Sequence, residues 1–136
     1  MAEQIGQEEL LDLDRVRGGF HTYVGDRCIC RYCSFDGSRS PEDWLQLQGD
    51  HLIPRKIAGE NAEDPLNRVV SCFYCNMVKR NFDPTLGATT RVEDQKHQQE
   101  LVERAREHIK ERKRKSWAYG GGPEKSFELM MRWIND

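Results

Sequence analysis

The sequence of 136 residues has no apolar run close to the roughly 20 residues that a membrane-spanning helix needs. It also lacks the basic, then continuously apolar opening of a secretory signal, since residues 1–14 carry five acidic groups and no Lys or Arg. Neither export nor membrane insertion is expected, and a cytoplasmic location follows as the default. Internal repeats and low-complexity tracts are missing too. The glycines at 120–122 are not followed by the Gly-Lys-Ser/Thr of a phosphate loop. Nor is there a large net charge: the formal value of −2 leaves little long-range field to steer a polyanion.

What is present is a composition of 37% apolar and 32% charged residues, that of a soluble globular protein. The length suits one domain with a modest core, small enough to gain from a covalent or metal staple. Five cysteines without a signal read as metal ligands before disulfide partners, because reducing compartments keep thiols free. The charge, although small in sum, is segregated. Residues 102–116 hold seven Lys/Arg against three Glu and so carry about +4. Such a basic strip can hold a polyanion locally.

Along the chain, Leu10, Leu11, Leu13 and Val16 are spaced for a short amphipathic helix over about 8–17, ended by Gly18 and Gly19. Tyr23 to Cys33 reads as extended chain leading into a turn, and Ser34 to Pro41 as an exposed loop. Trp44 to His51 and Arg68 to Ser71 read as strands separated by a Pro- and Gly-punctuated break. From Phe73 the pattern becomes helical until Pro84. Residues 92–115 are the longest helical candidate, with Leu101, Val102, Ala105 and Ile109 on one face. At 1.5 Å per residue it would run about 36 Å, near one turn of duplex DNA. A hinge at Tyr119–Pro123 precedes a last helix, for which Ser126 is the candidate cap. Its Met130, Met131 and Trp133 read as core or as a protein-partner patch.

Chemistry-bearing residues fall in a fixed order: Cys30 and Cys33, Asp50 and His51, Asn67, then Cys72, Cys75 and Asn76. A two-residue gap lets both thiolates of a tight turn face one ion, and tetrahedral zinc needs two such turns, so Cys30, Cys33, Cys72 and Cys75 are the expected structural zinc ligands. Redox cysteines are the competing reading. The long gap between Cys33 and Cys72 requires a folded insert whose ends return together. Cys28 reads as a small buried apolar residue. Adjacent strand residues point to opposite faces, so Asp50 and His51 divide their labour: Asp50 grips a hard cation and His51 activates water. Asn76, at the helix start beside the zinc turn, offers a second hard ligand. Asp plus Asn leaves about four octahedral positions for water and phosphate oxygens, which suits Mg²⁺ or Mn²⁺.

The stretch GDHLIP, then Asn67, then CFYCNMVK, preceded by CRYC, resembles an HNH endonuclease of the His-Me finger, or ββα-metal, superfamily over roughly residues 28–82. The resemblance implies that Asp50 and Asn76 hold the catalytic divalent ion, that His51 is the general base and that Asn67 braces the loop or orients the base. It also implies a structural zinc on the four cysteines. Many relatives carry His at the position of Asn76, and Asn variants occur in the family. Lys79 matches the family's CNxxK position and is the first candidate phosphate contact, followed by Arg80, Arg55, Lys56 and Arg68; a solvated surface charge is the competing reading for each. Phe73 and Tyr74 are expected to pack on the hairpin.

The expected fold is α+β: a small ββα-metal core over about 28–84 with CxxC zinc pairs, a helix over about 8–17 and a helical extension over about 91–136, together one domain. The expected function is metal-dependent hydrolysis of DNA phosphodiester bonds, by nicking or double-strand cleavage, with activity rising as pH climbs through the ordinary imidazole range. The rivals are a catalytically silent, zinc-stapled nucleic-acid-binding module and a redox protein. With little room for an independent recognition domain, long-site specificity would call for a homodimer or an accessory protein.

Overall fold

A computed structural model describes residues 20–116 and 122–136; the expected helix at 8–17 and most of the 119–123 hinge lie outside them. The chain is α+β, with one two-stranded antiparallel sheet and helices around it. Strand β1 (Leu47–His51) pairs with β2 (Arg68–Cys72) in the register Leu47↔Cys72, Gly49↔Val70, Asp50↔Val69 and His51↔Arg68. Cross-strand partners share a face. One face therefore carries Leu47, Gly49, His51, Arg68 and Val70, and the other carries Gln48, Asp50, Val69 and Ser71.

Each face has its own core. On the first, Leu47 and Val70 pack with Tyr23 of helix α1 (Phe20–Gly25). The second belongs to the main cluster, where Val69, Leu52 and Ile53 meet Leu101, Val102, Ala105 and Ile109. Those last four are buried on helix α5 (Gln95–Lys115), as their spacing predicts. Helix α5 packs on helix α4 (Phe73–Lys79), which follows β2 without a loop. The sequence thus runs β1, connection, β2, α4, which is a ββα unit, and the cysteine pairs lie beside it.

Caps explain where several elements begin. Ser40 accepts from the Asp43 amide at 3.1 Å and Pro41 opens the short helix α2 (Pro41–Trp44), so the segment expected to start a strand at Trp44 turns helical first. Asp94 accepts from His97 N at 2.8 Å, which starts α5 at Gln95 instead of 92. Helix α4 stops at Lys79, well before Pro84, because Arg80 adopts φ 51. Tyr23 to Gly25, expected extended, finish α1, whose end is closed by the Asp26 and Cys28 amides on Thr22 and Tyr23 carbonyls. Ser126 lies inside helix α6 (Gly122–Asn135) and does not cap it. Met130, Trp133 and Ile134 on α6 are exposed, Trp133 to 86%, so they are not core. No helix among the described residues is long and apolar enough to cross a membrane.

Between β1 and β2 the chain makes the one-turn helix α3 (Arg55–Ala58) and two 3₁₀ turns, Gly59–Asn61 and Pro65–Asn67. Asp64 caps the second by accepting from Leu66 N at 2.9 Å. This connection is held by Asn67, 1% exposed. Its Oδ1 accepts from Ile53 N at 2.7 Å, and its Nδ2 donates to the Ile53 and Ala62 carbonyls, both at 3.1 Å. Three backbone groups of a loop with no sheet partners are thereby satisfied by one buried amide.

Candidate active site and metal centre

The Cys30–Cys33 turn is tied to the sheet by backbone bonds: Cys30 N donates to Phe35 O at 2.9 Å, and Arg31 N to Val70 O at 2.9 Å. Across from it, Cys72 ends β2 and caps α4, its Sγ accepting from Cys75 N at 3.4 Å. The four Sγ atoms of Cys30, Cys33, Cys72 and Cys75 lie within 4.8 Å of one another, and Cys28 is outside the group. Cys33 Sγ and Cys72 Sγ are 3.7 Å apart. A tetrahedral zinc with Zn–S near 2.3 Å has an edge of about 3.8 Å, so the thiols fit such an ion. Hydrogen bonds from Cys33, Cys72 and Cys75 hold the Cys30 thiol far below the ordinary thiol range, while contact with Cys30 pushes Cys75 far up. A crowd of thiols accepts the first negative charge readily and resists the next, which is the resistance a cation at their centre removes.

Lys113 joins this centre from α5, its Nζ 3.3 Å from Cys75 Sγ and 4.9 Å from the centroid of the Tyr74 ring. The ammonium partly offsets the charge of a thiolate cage. Nothing in the spacing of the cysteines signals a partner 38 residues further on. Phe73 and Tyr74, expected to pack on the hairpin, instead sit on the outer side of α4, Phe73 being 54% exposed, and line a groove of about 420 Å³ with Gln46 and Lys113.

On the sheet face toward α4, Gln48 and Asp50 stand two apart on β1, and Asn76 and Lys79 stand three apart on the helix. They meet in two pairs. Asn76 Nδ2 donates to Gln48 Oε1 at 2.6 Å, and Lys79 Nζ lies 3.1 Å from Asp50 Oδ2. Tyr32, from the CRYC turn, donates its hydroxyl to the same Asp50 oxygen at 2.6 Å. Burial and the neighbouring Asp50 carboxylate push the Tyr32 phenol well above its ordinary range, so it stays a donor. Both contacts fall on Oδ2; Asp50 Oδ1 and Asn76 Oδ1 take no hydrogen bond from the described residues. Those two oxygens are of the hard kind that a Mg²⁺-class ion prefers.

The structure corrects the expectation for Lys79. It is 1% exposed and also donates to the His51 carbonyl at 3.0 Å, so its ammonium serves Asp50 and the strand backbone and does not face a nucleic acid. An aliphatic stem long enough to cross the helix–sheet interface explains why a lysine can be buried there with its charge paired. Arg80, Arg55 and Lys56 are exposed, as surface contacts would be.

His51 lies on the opposite face, as its neighbour's orientation requires. Its Nε2 is 2.9 Å from Glu63 Oε1, and Glu63 Oε2 accepts from Arg68 Nη1. Arg55 Nε is 3.8 Å from the same carboxylate. The hydrogen bond to His51, followed by the Arg68 charge, keeps the Glu63 carboxyl below its usual range. Arg68 Nε is buried with no partner among the described residues. Its guanidinium lies over Gly49, where a Cβ would fall 2.7 Å from Nη2. A cleft of about 450 Å³, lined among others by Asp26, Arg31, Leu66 and Gln99, also opens on Arg68. Tyr32, Gln48, Gly49 and Glu63 are members of this site that sequence reasoning missed. Tyr32 could have been found from its place inside CRYC and Gly49 from its place inside GDHLIP; Gln48 and Glu63 carry no motif.

Comparison with protein families gives one match: residues 30–82 match the HNH endonuclease family model. That segment, 53 of the 136 residues, is similar to an HNH domain. No curated protein and no solved structure gives a significant match to the chain. The HNH segment takes in both cysteine pairs, Asp50, His51, Asn67 and Asn76, and it ends before α5. The basic strip on α5 therefore lies outside the matched segment. Arg106, Arg114 and Lys115 there are paired with Glu103 and Glu111 at 2.6–3.8 Å, and the basic last turn suits the negative end of the helix dipole.

Proposed function

We propose that the chain is a metal-dependent endonuclease that hydrolyses DNA phosphodiester bonds. The observation that carries this reading is the face-to-face arrangement of β1 and α4, which leaves one oxygen each of Asp50 and Asn76 on a shared face while His51 stands at the end of the same strand. Asp50 and Asn76 would hold Mg²⁺ or Mn²⁺, and Cys30, Cys33, Cys72 and Cys75 a structural zinc. The divalent ion, when bound, supplies Lewis-acid stabilisation of charge building on the phosphate and on the departing 3′ oxygen.

In this reading the neutral imidazole of His51 takes the proton from a water in line with the scissile phosphate. Asn67 fixes the loop behind it by gripping the Ile53 and Ala62 backbone. Tyr32 and Lys79 hold Asp50 in one rotamer. Arg68 and Arg55 flank His51 as donors to phosphate oxygens, with Arg80 and Lys56 as more distant contacts. Zinc would lock the knuckle formed by Cys30, Cys33, Cys72 and Cys75 and the start of α4, and with it Asn76.

Incubation with supercoiled plasmid and Mg²⁺, followed by sequencing of the product ends, tests the chemistry. Ends bearing 5′-phosphate and 3′-hydroxyl are expected; the opposite polarity would contradict attack by a His51-activated water in line with the 3′ oxygen.

A further inference from the structure

Among the described residues, Glu63 is the single acidic side chain drawn into a ring of cationic or protonatable groups on the His51 face: His51 Nε2 at 2.9 Å, Arg55 Nε at 3.8 Å and the Arg68 Nη1 donor. These are the groups to which a phosphate oxygen would bind. Its side chain is 58% exposed and stands on the connection between two 3₁₀ turns, so it can swing into water without opening the core.

We propose that Glu63 is a resident competitor for the substrate phosphate: its carboxylate occupies the anion subsite of His51, Arg55 and Arg68, and a backbone phosphate of the nucleic acid displaces it. A phosphate has more acceptor oxygens than a carboxylate, so it can engage Arg55, the Arg68 Nη1 and a protonated or donor His51 nitrogen together. Surface ion pairs of this exposure are weak, which makes the exchange reversible and sets the affinity of the site instead of blocking it. The inference rests on the nuclease reading for the identity of the ligand, but it concerns binding and not cleavage.

The test is the binding of a fluorescein-labelled duplex of about 20 base pairs, followed by anisotropy with Ca²⁺ in place of Mg²⁺ and the zinc-loaded full chain. Glu63→Gln, nearly isosteric at an exposed position, is expected to tighten binding about three- to tenfold, and to steepen the dependence of log K on log salt by about one. Glu60→Gln, which removes an exposed acid of the same connection with no cationic partner among the described residues, is expected to change affinity less than twofold. In an Arg68→Ala background, Glu63→Gln is expected to lose most of its effect. Equal tightening by Glu60→Gln, or unchanged or weaker binding by Glu63→Gln, overturns the proposal, as does absence of binding by every variant. Unchanged binding with slower cleavage would make Glu63 a positioning residue for His51 instead. Should the wild type cut no substrate, the nuclease reading fails while the binding comparison still decides this one.

Discussion

The knuckle and the sheet face next to it, both built on β2 and α4, solve the problem of clustered polar groups in different ways. In the knuckle, four alike soft donors converge within 4.8 Å and gain nothing from each other beyond one shared charge; they are complete with a cation among them. On the sheet, unlike hard groups are already matched, Asp50 with Lys79 and Tyr32, Asn76 with Gln48, His51 with Glu63. The first arrangement has the form of a staple that an ion would complete. The second is already paired within the protein and needs no ion to satisfy its groups. A single chain can hold both because soft thiolates and hard oxygens do not compete for the same ion.

The contrast breaks most visibly at the knuckle. Cys75→Ser, or chelation of the resident metal, is expected to abolish cooperative unfolding and amide dispersion, since structural zinc supplies roughly 10–16 kcal/mol in small zinc-folded units. Elemental analysis of the purified chain should give one zinc, and a folded, zinc-free variant would show that the cage is not a staple. On the sheet the losses should be smaller and metal-independent. Lys79→Met leaves the Asp50 carboxylate, 7% exposed, without its counter-charge and is expected to cost about 3–5 kcal/mol in chemical denaturation. Asn67→Ala strands three buried backbone groups and is expected to cost about 3 kcal/mol by the same measurement. The smallest effect belongs to Gly49→Ala. Its methyl pushes only the far end of Arg68, so stability should hold within about 0.5 kcal/mol while duplex affinity falls a few-fold in the anisotropy assay.

How much of this could be read from the sequence divides along the same line. The knuckle was legible because CxxC spacing is a local property of a turn, and the α5 core face because 3.6-residue periodicity put Leu101, Val102, Ala105 and Ile109 together. The ββα order followed from two short apolar runs and the helical pattern after Phe73. The partners were not legible. Gln48, Glu63, Lys113 and the buried position of Lys79 depend on which faces of sheet and helix meet, and spacing along the chain does not encode that. Lys79 shows the limit best: a lysine near a phosphate-handling motif reads as a phosphate contact, yet the proximity of Asp50 across the interface decides its place. Likewise Ser40–Pro41 starts a helix at the end of a stretch expected as an exposed loop, and Phe73 faces outward because α4 presents Asn76 and Lys79 to the sheet.

The account's central claim is that His51 performs chemistry and is not merely a polar residue at a strand end. Conversion of supercoiled plasmid to nicked or linear form, measured with zinc-loaded protein and Mg²⁺ for wild type and His51→Ala side by side, tests it most directly. The wild type is expected to cut, and the variant to cut about 10²–10⁴-fold more slowly with unchanged thermal stability. Equal product from both proteins would contradict it and leave a zinc-stapled binding module in place of an enzyme.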